Sequence, residues 1–378
     1  MKVLRTIETF YPYVCGPANL AFRVSQGLYE RGISSPVLTT YCDVNGNLPS
    51  VEKIQDVEVH RYQYQARMMR YCVSLGMAEA FRDYDILHSH NYRNFQSDMA
   101  FVFSRFHKKP FVLSAHGSLL GFQQYLSHWK SRLPYRLYDY LTLKTTAKRA
   151  QKVIVSTTLE YEDAIEFGIE KRKLEIISEG VDPVFFSQSR SYVDSGPLRL
   201  LFVGRIARNR NVELIIRALT RLDGVVLDIV GGEERTSSTS RAGYVAELMN
   251  LAKELKVAER VNFAGPQYGE ELRRFYLNSD IFIYPSTYEN FGQPILEAAT
   301  TGLPIISTPV GVARDIVIPG ETGFWVKMDP GEIAARVEDL RPVRTREEFG
   351  VRIRALAGKN YQWEEIIKRY VKVYEDLL

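Results

Sequence analysis

Short apolar runs alternate with longer segments of helical periodicity from one end of the chain to the other. The short runs are rich in β-branched and aromatic residues and predict strands, and the apolar spacing between them predicts amphipathic helices. Strands that alternate with helices favour parallel sheets covered on both faces. One such series runs from residue 2 to 177 and a second from 198 to 326. We therefore expect an α/β protein with two doubly wound, Rossmann-like domains.

The segment 187–197 is the best candidate for the domain boundary, because it is polar, rich in serine and ends in Gly-Pro. We place the first domain at 1–190 and the second at 191–362. Two further helical patterns end the chain, at about 346–358 and 363–378. Residues 231–243 are rich in Gly, Ser, Thr and charged side chains, and we expect them to form a long, mobile surface loop.

Charge, cysteine content and hydropathy exclude several classes of protein. A net charge of +4 on 378 residues is too small to indicate nucleic acid binding. The positive excess lies in residues 1–190, with 24 basic and 19 acidic side chains, so this half should meet any anionic partner. Three scattered cysteines form neither a disulfide framework nor a metal knuckle. Without a signal-peptide core or a membrane-spanning run, we expect a cytoplasmic protein, with peripheral contact to the inner membrane face left open.

Ligands of open parallel sheets bind beyond the carboxyl ends of the strands, so the loops that follow strands carry the functional signal. The predicted strand that ends at Val203 is followed by Gly204 and by three arginines, Arg205, Arg208 and Arg210, just before a helix. Guanidinium groups beside a helix N-terminus favour a bound phosphate. A solvated basic loop explains the same pattern equally well.

A second loop carries two acids. Glu289 follows the predicted strand Ile281–Tyr284, and Glu297 lies eight residues later, which we place in the first turn of the next helix. A carboxylate at such a position can accept two hydrogen bonds from a vicinal diol of a ribose or hexose. Gly292 lets the backbone approach a ligand closely. Capping of the helix N-terminus by an acid explains Glu297 but not the whole segment from Glu289 to Glu297.

These loops resemble the motifs of the family 4 retaining glycosyltransferases, which have the GT-B fold. Glu289 to Glu297 matches the family's E-x7-E signature, and Gly204 to Arg210 matches its G-R-x4-K element. Further matches follow in family order: His116-Gly117, Gly180-Val181-Asp182, Gly265, Gly311, Gly320-Glu321-Thr322-Gly323 and Trp363-Glu364. The resemblance implies two Rossmann-like domains that face a cleft, with the last helix, 363–378, packed back on the first domain.

The resemblance also implies a function. It is the retaining transfer of a hexose from a UDP- or GDP-sugar to a hydroxyl of a glycan or lipid-linked acceptor. The matches assign the diphosphate to Gly204, Arg205 and Arg210, the ribose to Glu297, and the donor sugar to Glu289, Asn290, Phe291, Gly292 and Gln293. His116 would face the donor sugar from the first domain, and Gly16 would lie at a helix start near an acceptor phosphate. The catalytic set is then His116, Glu289, Arg205 and Arg210.

We expect no metal and no cofactor, because Arg205 and Arg210 supply the positive charge that a departing diphosphate requires. Some positions depart from the family pattern: Arg210 replaces a lysine, Asn211 a glycine, and Cys15-Gly16 a Gly-Gly pair. Two alternatives stay open. One is a GT-B sugar-nucleotide epimerase, and the other is a non-catalytic scaffold that binds a nucleotide sugar.

Two other patterns have the spacing of metal ligands. Asp83 and Asp85 form an Asp-x-Asp motif, but Asp85 opens a predicted strand and so lies at the amino end of the sheet, away from the ligand edge. His88 and His90 lie on one face of the same strand without an evident third ligand. We expect His90 to line the cleft and His88 to be packed inside.

Residues 128–152 hold seven basic side chains and one aspartate, with leucines and tyrosines between them. A basic amphipathic helix of this kind can rest on anionic lipid. It is equally typical of a half-buried helix with a solvated basic face, and we prefer this second interpretation. A lipid-linked acceptor would favour the first.

Overall fold

The computed structural model describes residues 1–378 except 14, 122, 124, 125, 127, 128, 194, 195 and 234–242. Most of the surface loop expected at 231–243, and the first residue of the basic segment 128–152, lie outside the described residues. The chain divides into two compact units. The first comprises Met1–Glu179 and Trp363–Leu378, and the second comprises Gly180–Gln362.

The first unit is built on a sheet of eight described strands, parallel except for one antiparallel edge pair, β3 and β4. Their order in space is β10-β9-β8-β7-β1-β2-β4-β3. The strands of this unit are β1 (Val3–Thr6), β2 (Val37–Thr40), β3 (Val51–Ile54), β4 (Val57–Tyr62), β7 (Ile86–His90), β8 (Phe111–Ser114), β9 (Lys152–Val155) and β10 (Leu174–Ile176), with a separate hairpin of β5 (Ala66–Met68) and β6 (Tyr71–Val73). Its helices are α1 (Gly16–Tyr29), α2 (Phe95–Phe106), α3 (Trp129–Thr142), α4 (Thr145–Lys148), α5 (Thr158–Phe167) and α13 (Trp363–Glu375).

Alternating side chains of the central strands pack into two apolar layers, one on each face of the sheet. Val3 and Ile86 point to the layer that contains α1 and α13, whereas Leu4 and Leu87 point to the layer that contains α2 and α5. All residues of β1, β7 and β8 are buried, as expected for strands covered on both faces. Helix α13 packs so closely on α1 that a Cβ on Gly27 would lie 2.6 Å from Ile367.

The second unit is a parallel sheet of six described strands in the order β13-β12-β11-β14-β15-β16. Its strands are β11 (Leu198–Val203), β12 (Val225–Val230), β13 (Val261–Gly265), β14 (Ile281–Tyr284), β15 (Ile305–Ser307) and β16 (Gly323–Trp325). Its helices are α6 (Val212–Ala218), α7 (Tyr244–Glu254), α8 (Gly269–Asn278), α9 (Gln293–Thr301), α10 (Ala313–Ile316), α11 (Pro330–Asp339) and α12 (Val343–Asn360). No helix of the described chain is long and apolar enough to cross a bilayer.

The units divide between Glu179 and Gly180, earlier than the boundary that we placed at 190. The short 3₁₀ helix Pro183–Phe186 belongs to the second unit because Phe185 is buried there, edge to face with Tyr276 at 5.7 Å between ring centroids. Arg190 also pairs with Asp280 at 2.7 Å. The polar composition of 187–197 indicated a linker, but these contacts tie its first residues to the second unit.

Candidate active site

The strand order of the second unit reverses between β11 and β14. These strands are neighbours in space, although β12 and β13 come between them in sequence. Such a switch point opens a crevice at the carboxyl edge of a parallel sheet, where ligands bind. The loops that follow the two strands are tied together, because Thr287 N donates to Asn209 O at 2.8 Å and Asn211 Nδ2 donates to Pro285 O at 2.8 Å. The structure therefore brings the two sequence motifs to one edge.

An ion pair joins these loops. Arg210 Nη1 lies 2.7 Å from Glu289 Oε2, and Tyr284 OH donates to the same carboxylate oxygen at 2.7 Å. Arg210 also donates to Ser286 Oγ and to Tyr288 O, each at 2.8 Å. Burial raises the pKa of Tyr284 well above its usual value, so its hydroxyl stays protonated and serves as a donor. The Glu289 carboxylate is thus held by a cation and a phenol.

The sequence did not point to Tyr284, which is the last residue of β14 and looks like an ordinary apolar strand residue. Its ring lies under the Arg210 guanidinium, 5.6 Å from Cζ to the ring centroid. The positive charge of Arg205 also opposes the rise in the pKa of Tyr284. A Cβ on Gly204 would lie 3.6 Å from the Tyr284 ring. Gly204, Arg205, Arg210 and Glu289 therefore surround one tyrosine.

A hollow of about 370 Å³ opens at the carboxyl ends of β11, β12 and β13. Its walls include Arg205, Gly231, Gly232, Glu233, Gln267 and Tyr268. Two loops meet here backbone to backbone, since a Cβ on Gly231 would lie 1.9 Å from Gly204 O. The hollow combines the Arg205 guanidinium with the partly buried backbone of glycine residues, which suits a phosphorylated ligand.

Glu297 lies beside this edge on α9, where it is the fifth helical residue after the N-cap Gly292. Our placement in the first turn was therefore wrong, and helix capping does not account for this acid. Tyr276 OH donates to Glu297 Oε2 at 2.8 Å. Burial raises the pKa of Glu297 to about 7, the Tyr276 bond opposes this shift, and the charge of Asp182 adds to it. Glu297 is thus an acid that changes charge near neutral pH.

The segment between the two acids is held by backbone contacts. Val312 N donates to Phe291 O at 2.7 Å, and a Cβ on Gly311 would lie 2.3 Å from the same oxygen. Asn290 N donates to Glu289 Oε1 at 3.2 Å, and Gln293 Nε2 donates to Gly180 O at 3.2 Å. Gly311, which the resemblance singled out, is required because no side chain fits against the Phe291 carbonyl.

In the first unit, His116 follows β8 in a left-handed conformation, with φ of 50°. The next amide, Gly117 N, donates to the buried carboxylate of Glu160, which also accepts from Ser156 N at 2.6 Å. Glu160 belongs to α5, and sequence reasoning missed it, although Thr157 and Glu160 have the spacing of a capping box and Glu160 N donates to Thr157 Oγ1. Glu160 thereby fixes the turn that presents His116.

His90 does not line a surface, contrary to our expectation. His88 and His90 are both fully buried, and His90 Nδ1 contacts His116 Nε2 at 2.9 Å. The reason is a buried guanidinium, Arg5 on β1, whose Nη1 lies 3.2 Å from a ring nitrogen of each histidine. The sequence signal was available, since Arg5 is a charged residue inside an otherwise apolar strand.

Gly16 is the first residue of α1, after the N-cap Cys15, whose side chain makes no capping bond. A Cβ on Gly16 would meet nothing within 4 Å, so this helix start is open. Asp85 lies at the opposite edge of the sheet, where its Oδ2 accepts from Lys2 N at 2.7 Å. No three His, Cys, Asp or Glu side chains of the described residues are grouped to hold a metal ion.

Helix α3 turns its leucines away from the unit. Leu133 and Leu137 are each 52% exposed and Leu141 is 70% exposed. Polar side chains face inward instead, because Tyr138 OH donates to Asp98 Oδ1 at 2.6 Å and Asp139 pairs with Arg93 at 2.7 Å. The half-buried helix that we preferred is therefore wrong in its orientation, because leucines, and not only basic side chains, are exposed on it.

Two doubly wound units in one chain, with a basic and acidic crevice at the switch point of one of them, define a protein of the GT-B fold. Solved structures match over the whole chain. Sucrose-phosphate synthase from Thermosynechococcus elongatus has a TM-score of 0.81 at 20% identity, with 100% of this chain and 98% of that chain covered. Anabaena HepE in complex with UDP-glucose has a TM-score of 0.77 at 18% identity, with both chains covered completely.

Two family models match adjacent parts of the sequence. Glycosyltransferase Family 4 matches residues 14–185, and Glycosyl transferases group 1 matches residues 186–349. The chain belongs to the group 1 glycosyltransferases of family 4. This confirms the resemblance of the motifs and the GT-B fold that it implied.

Curated relatives span the full length of the chain. An uncharacterized glycosyltransferase of Methanocaldococcus jannaschii is 26% identical, with 99% of this chain and 98% of the relative covered. The GDP-mannose:cellobiosyl-diphosphopolyprenol alpha-mannosyltransferase of Xanthomonas oryzae pv. oryzae is 24% identical, with 100% and 97% covered.

Proposed function

We propose that the protein is a retaining, metal-independent hexosyltransferase. It moves a hexose from a UDP- or GDP-sugar to a hydroxyl group of a glycan or lipid-linked acceptor. The observation that carries the proposal is the crevice between β11 and β14, where Arg210 and Glu289 form an ion pair beside Arg205. Family membership supports the glycosyltransferase class. The name of the Xanthomonas relative gives a GDP-sugar donor and a polyprenol-linked acceptor, and HepE binds UDP-glucose.

The second unit would hold the donor. Arg205 reaches the hollow at the carboxyl edge, where its charge stabilises the diphosphate as the bond to the sugar breaks. Arg210 adds positive charge and holds Glu289 toward the sugar hydroxyls. Glu297 accepts hydrogen bonds from the ribose diol, which favours its charged form. Backbone groups of Asn290, Phe291, Gly292 and Gln293 complete the sugar site.

Retention of configuration does not require a nucleophilic side chain here. Glu289 Oε2 is paired with Arg210 and accepts from Tyr284, which lowers the basicity of the carboxylate and makes it a poor nucleophile, while Oε1 can still accept from a sugar hydroxyl. The acceptor hydroxyl attacks the anomeric carbon from the face that the diphosphate leaves. The bond from this carbon to the phosphate oxygen breaks, the new glycosidic bond forms, and the hydroxyl proton passes to the leaving phosphate. His116 of the first unit contacts the sugar, and Gly16 lies at the acceptor's phosphate.

The exposed apolar face of α3 fits a lipid-linked acceptor. Leu133, Leu137 and Leu141 lie on one helical stripe and are at least half exposed. Lys130 and Arg136 are exposed on the same helix. Apolar side chains flanked by basic ones bind the surface of an anionic bilayer. We assign this face to anionic lipid, so that the enzyme meets its acceptor at a membrane surface.

The test begins with the donor. Thermal unfolding of the purified protein is measured with a panel of UDP- and GDP-sugars, and a true donor should raise the melting temperature in proportion to the logarithm of its concentration. The stabilising sugar nucleotide is then incubated with glycan and polyprenol-linked acceptors in EDTA. Transfer should persist without added metal, and the product should keep the anomeric configuration of the donor.

Each alternative has its own outcome. A sugar-nucleotide epimerase would convert the donor without an acceptor, and a scaffold would bind the donor without turnover. An inverted product, or loss of transfer in EDTA that added metal restores, would contradict the proposed reaction. His116→Ala should lower turnover more than donor binding, and wild-type turnover in this variant would remove His116 from the site.

A further inference from the structure

Arg5 and three histidines form a continuous hydrogen-bonded cluster inside the first unit. Arg5 lies on β1, His88 and His90 lie on β7, and His116 follows β8. The planes of neighbouring imidazole rings are nearly parallel, within 9° for His88 and His90, whose centroids are 4.9 Å apart, and within 14° for His90 and His116, whose centroids are 5.2 Å apart. Arg5, His88 and His90 have no exposed surface. Their polar atoms must therefore find partners inside the protein.

Arg5 determines the direction of these hydrogen bonds, because a guanidinium group only donates. Its Nη1 lies 3.2 Å from His90 Nε2, so this nitrogen accepts and carries no proton. The ring proton of His90 is then on Nδ1, which lies 2.9 Å from His116 Nε2. His116 Nε2 therefore accepts, and the proton of the His116 ring is on Nδ1.

The rest of the cluster agrees with these directions. Arg5 Nη2 donates to Tyr374 OH at 2.7 Å, and the Tyr374 hydroxyl donates in turn to His88 Nδ1 at 2.6 Å. His88 then carries its proton on Nε2 and donates to Ser114 Oγ at 2.8 Å. Arg5 Nε donates to Ser35 Oγ at 3.2 Å. One assignment of protons is thus consistent with these contacts, and His88 Nδ1 is shared between the Tyr374 hydroxyl and Arg5 Nη1, which lies 3.2 Å away.

We infer that Arg5 and His90 are positioning residues that hold His116 neutral with its proton on Nδ1, so that His116 acts as a hydrogen-bond donor and not as a base. The half-buried His116 ring presents Nδ1–H as its remaining polar group, since Nε2 is engaged by His90. Such a donor suits an oxygen of the bound sugar. The role in transfer rests on the proposed function, whereas the protonation state does not.

The electrostatics of the cluster favour the same state. Burial and the positive charge of Arg5 lower the pKa of His116 to about 3, and they lower the pKa of His88 and His90 well below the usual value. Each element packed on the cluster contributes charged or titratable groups. They are Arg5 on β1, His88 and His90 on β7, Glu160 on α5, and Tyr370 and Tyr374 on α13. Glu160 is itself buried, and burial raises its pKa.

The direct test uses wild-type protein. Histidine labelled with nitrogen-15 in the ring is incorporated into the full chain, and long-range proton–nitrogen spectra distinguish a protonated from an unprotonated ring nitrogen. The His116 signal is assigned by its loss in His116→Gln. We expect Nδ1 protonated, Nε2 unprotonated, and no titration of His116 between pH 5 and 8. A His116 ring protonated on Nε2, or one that titrates in this range, would overturn the inference.

Two variants at one position test whether His90 transmits the direction of the Arg5 hydrogen bond to His116. His90→Gln keeps an acceptor for Arg5 and a donor for His116, whereas His90→Leu removes both. We expect the Nδ1–H signal of His116 to persist in His90→Gln and to be lost or mixed in His90→Leu. The turnover number of His90→Leu should fall about tenfold, which corresponds to one hydrogen bond, with KM for the donor nearly unchanged. Equal spectra and equal turnover in the two variants would contradict a positioning role for His90.

A matched control separates folding from positioning. His107→Leu makes the same substitution at an exposed histidine of the same unit and should leave the His116 signal and turnover unchanged. Failure of the inference and failure of the proposed function are distinguishable, because the His116 spectrum is read without substrate. A protein that shows the expected tautomer but no transfer to any acceptor would contradict the function alone.

Discussion

Arg210 and Glu289 form a nearly buried ion pair, with 2.7 Å between Nη1 and Oε2 and side-chain exposures of 4% and 14%. The two residues come from the loops after β11 and β14, so the pair joins both sides of the switch point. A buried charge whose partner is removed costs several kcal/mol, which makes the two residues depend on each other. This dependence connects the stability of the site to its chemistry.

Glu289→Gln should therefore impair both properties. It leaves the Arg210 charge without its counter-ion and should lower the free energy of unfolding by about 3 kcal/mol. Transfer should fall about 100-fold, because the sugar loses a charged acceptor for its hydroxyls. Urea denaturation and initial rates measure the two effects. Glu348→Gln is the matched control, because Glu348 pairs with Arg344 on the exposed face of α12 and should cost less than about 1 kcal/mol. Equal losses in both variants would contradict the role of the buried pair.

Glu297 should make donor affinity depend on pH. Its pKa of about 7 means that it is mostly protonated at pH 6 and mostly charged at pH 8. A ribose diol donates hydrogen bonds to the charged form, so affinity for the nucleotide sugar should rise about tenfold between these pH values. Isothermal titration would show this rise in wild type and its absence in Glu297→Gln. A pH dependence that survives in Glu297→Gln would exclude this carboxylate as its source.

Tyr276→Phe should shift that dependence. The Tyr276 hydroxyl donates to Glu297 at 2.8 Å and opposes the rise of its pKa. Its removal should raise the pKa of Glu297 further, so that the increase in donor affinity occurs at higher pH. A titration curve that overlays that of wild type would contradict the coupling.

The same carboxyl group should make stability depend on pH. The native pKa of about 7 lies above the ordinary value of 4.5, so between these values the native state holds a proton that the unfolded state has released. The stabilising contribution is complete below about pH 4.5 and is lost as the pH rises through 7. The free energy of unfolding of ligand-free wild type should fall by about 3 kcal/mol relative to Glu297→Gln over this range. Parallel stability curves would contradict the elevated pKa.

Gly311→Ala should weaken donor binding through the backbone. Its Cβ would lie 2.3 Å from Phe291 O, so the segment after Glu289 must shift. Gly320→Ala is the matched control, since Gly320 also has positive φ, at 79°, but its Cβ would meet nothing within 4 Å. Both variants carry backbone strain of about 1 kcal/mol, and only Gly311→Ala should also lose donor affinity. Thermal unfolding with and without donor separates strain from binding.

The apolar face of α3 should bind anionic vesicles. Combined Leu137→Ser and Leu141→Ser substitutions remove two exposed leucines and should weaken binding at least tenfold in a sedimentation assay. Phe106→Ser provides the control, because Phe106 is 81% exposed elsewhere on the first unit and should have no effect. Binding should weaken as salt rises and should be poor with neutral vesicles. Equal binding of wild type and the double variant would contradict the assignment of this face.

Much of the fold and part of the candidate site could be predicted from local pattern. The sequence predicted two functional loops, one from glycine and arginine after a strand and the other from two acids after another strand. The structure places these loops side by side at the switch point. The predictions failed where a distant partner reverses a local preference. His90 is buried because Arg5 donates a hydrogen bond to its Nε2, and α3 exposes its leucines because Asp98 and Arg93 bind its polar residues.

The sequence by itself determined the α/β class, the division into two doubly wound units and the glycosyltransferase family, because periodicity and loop motifs are local properties of the chain. The tertiary structure alone decided which residues become partners. Arg210 pairs with Glu289, Tyr276 with Glu297 and Arg5 with His90 because the order of strands in each sheet brings together the strands, helices and loops that carry them. Strand order is set by the packing of whole layers, and no local spacing encodes it.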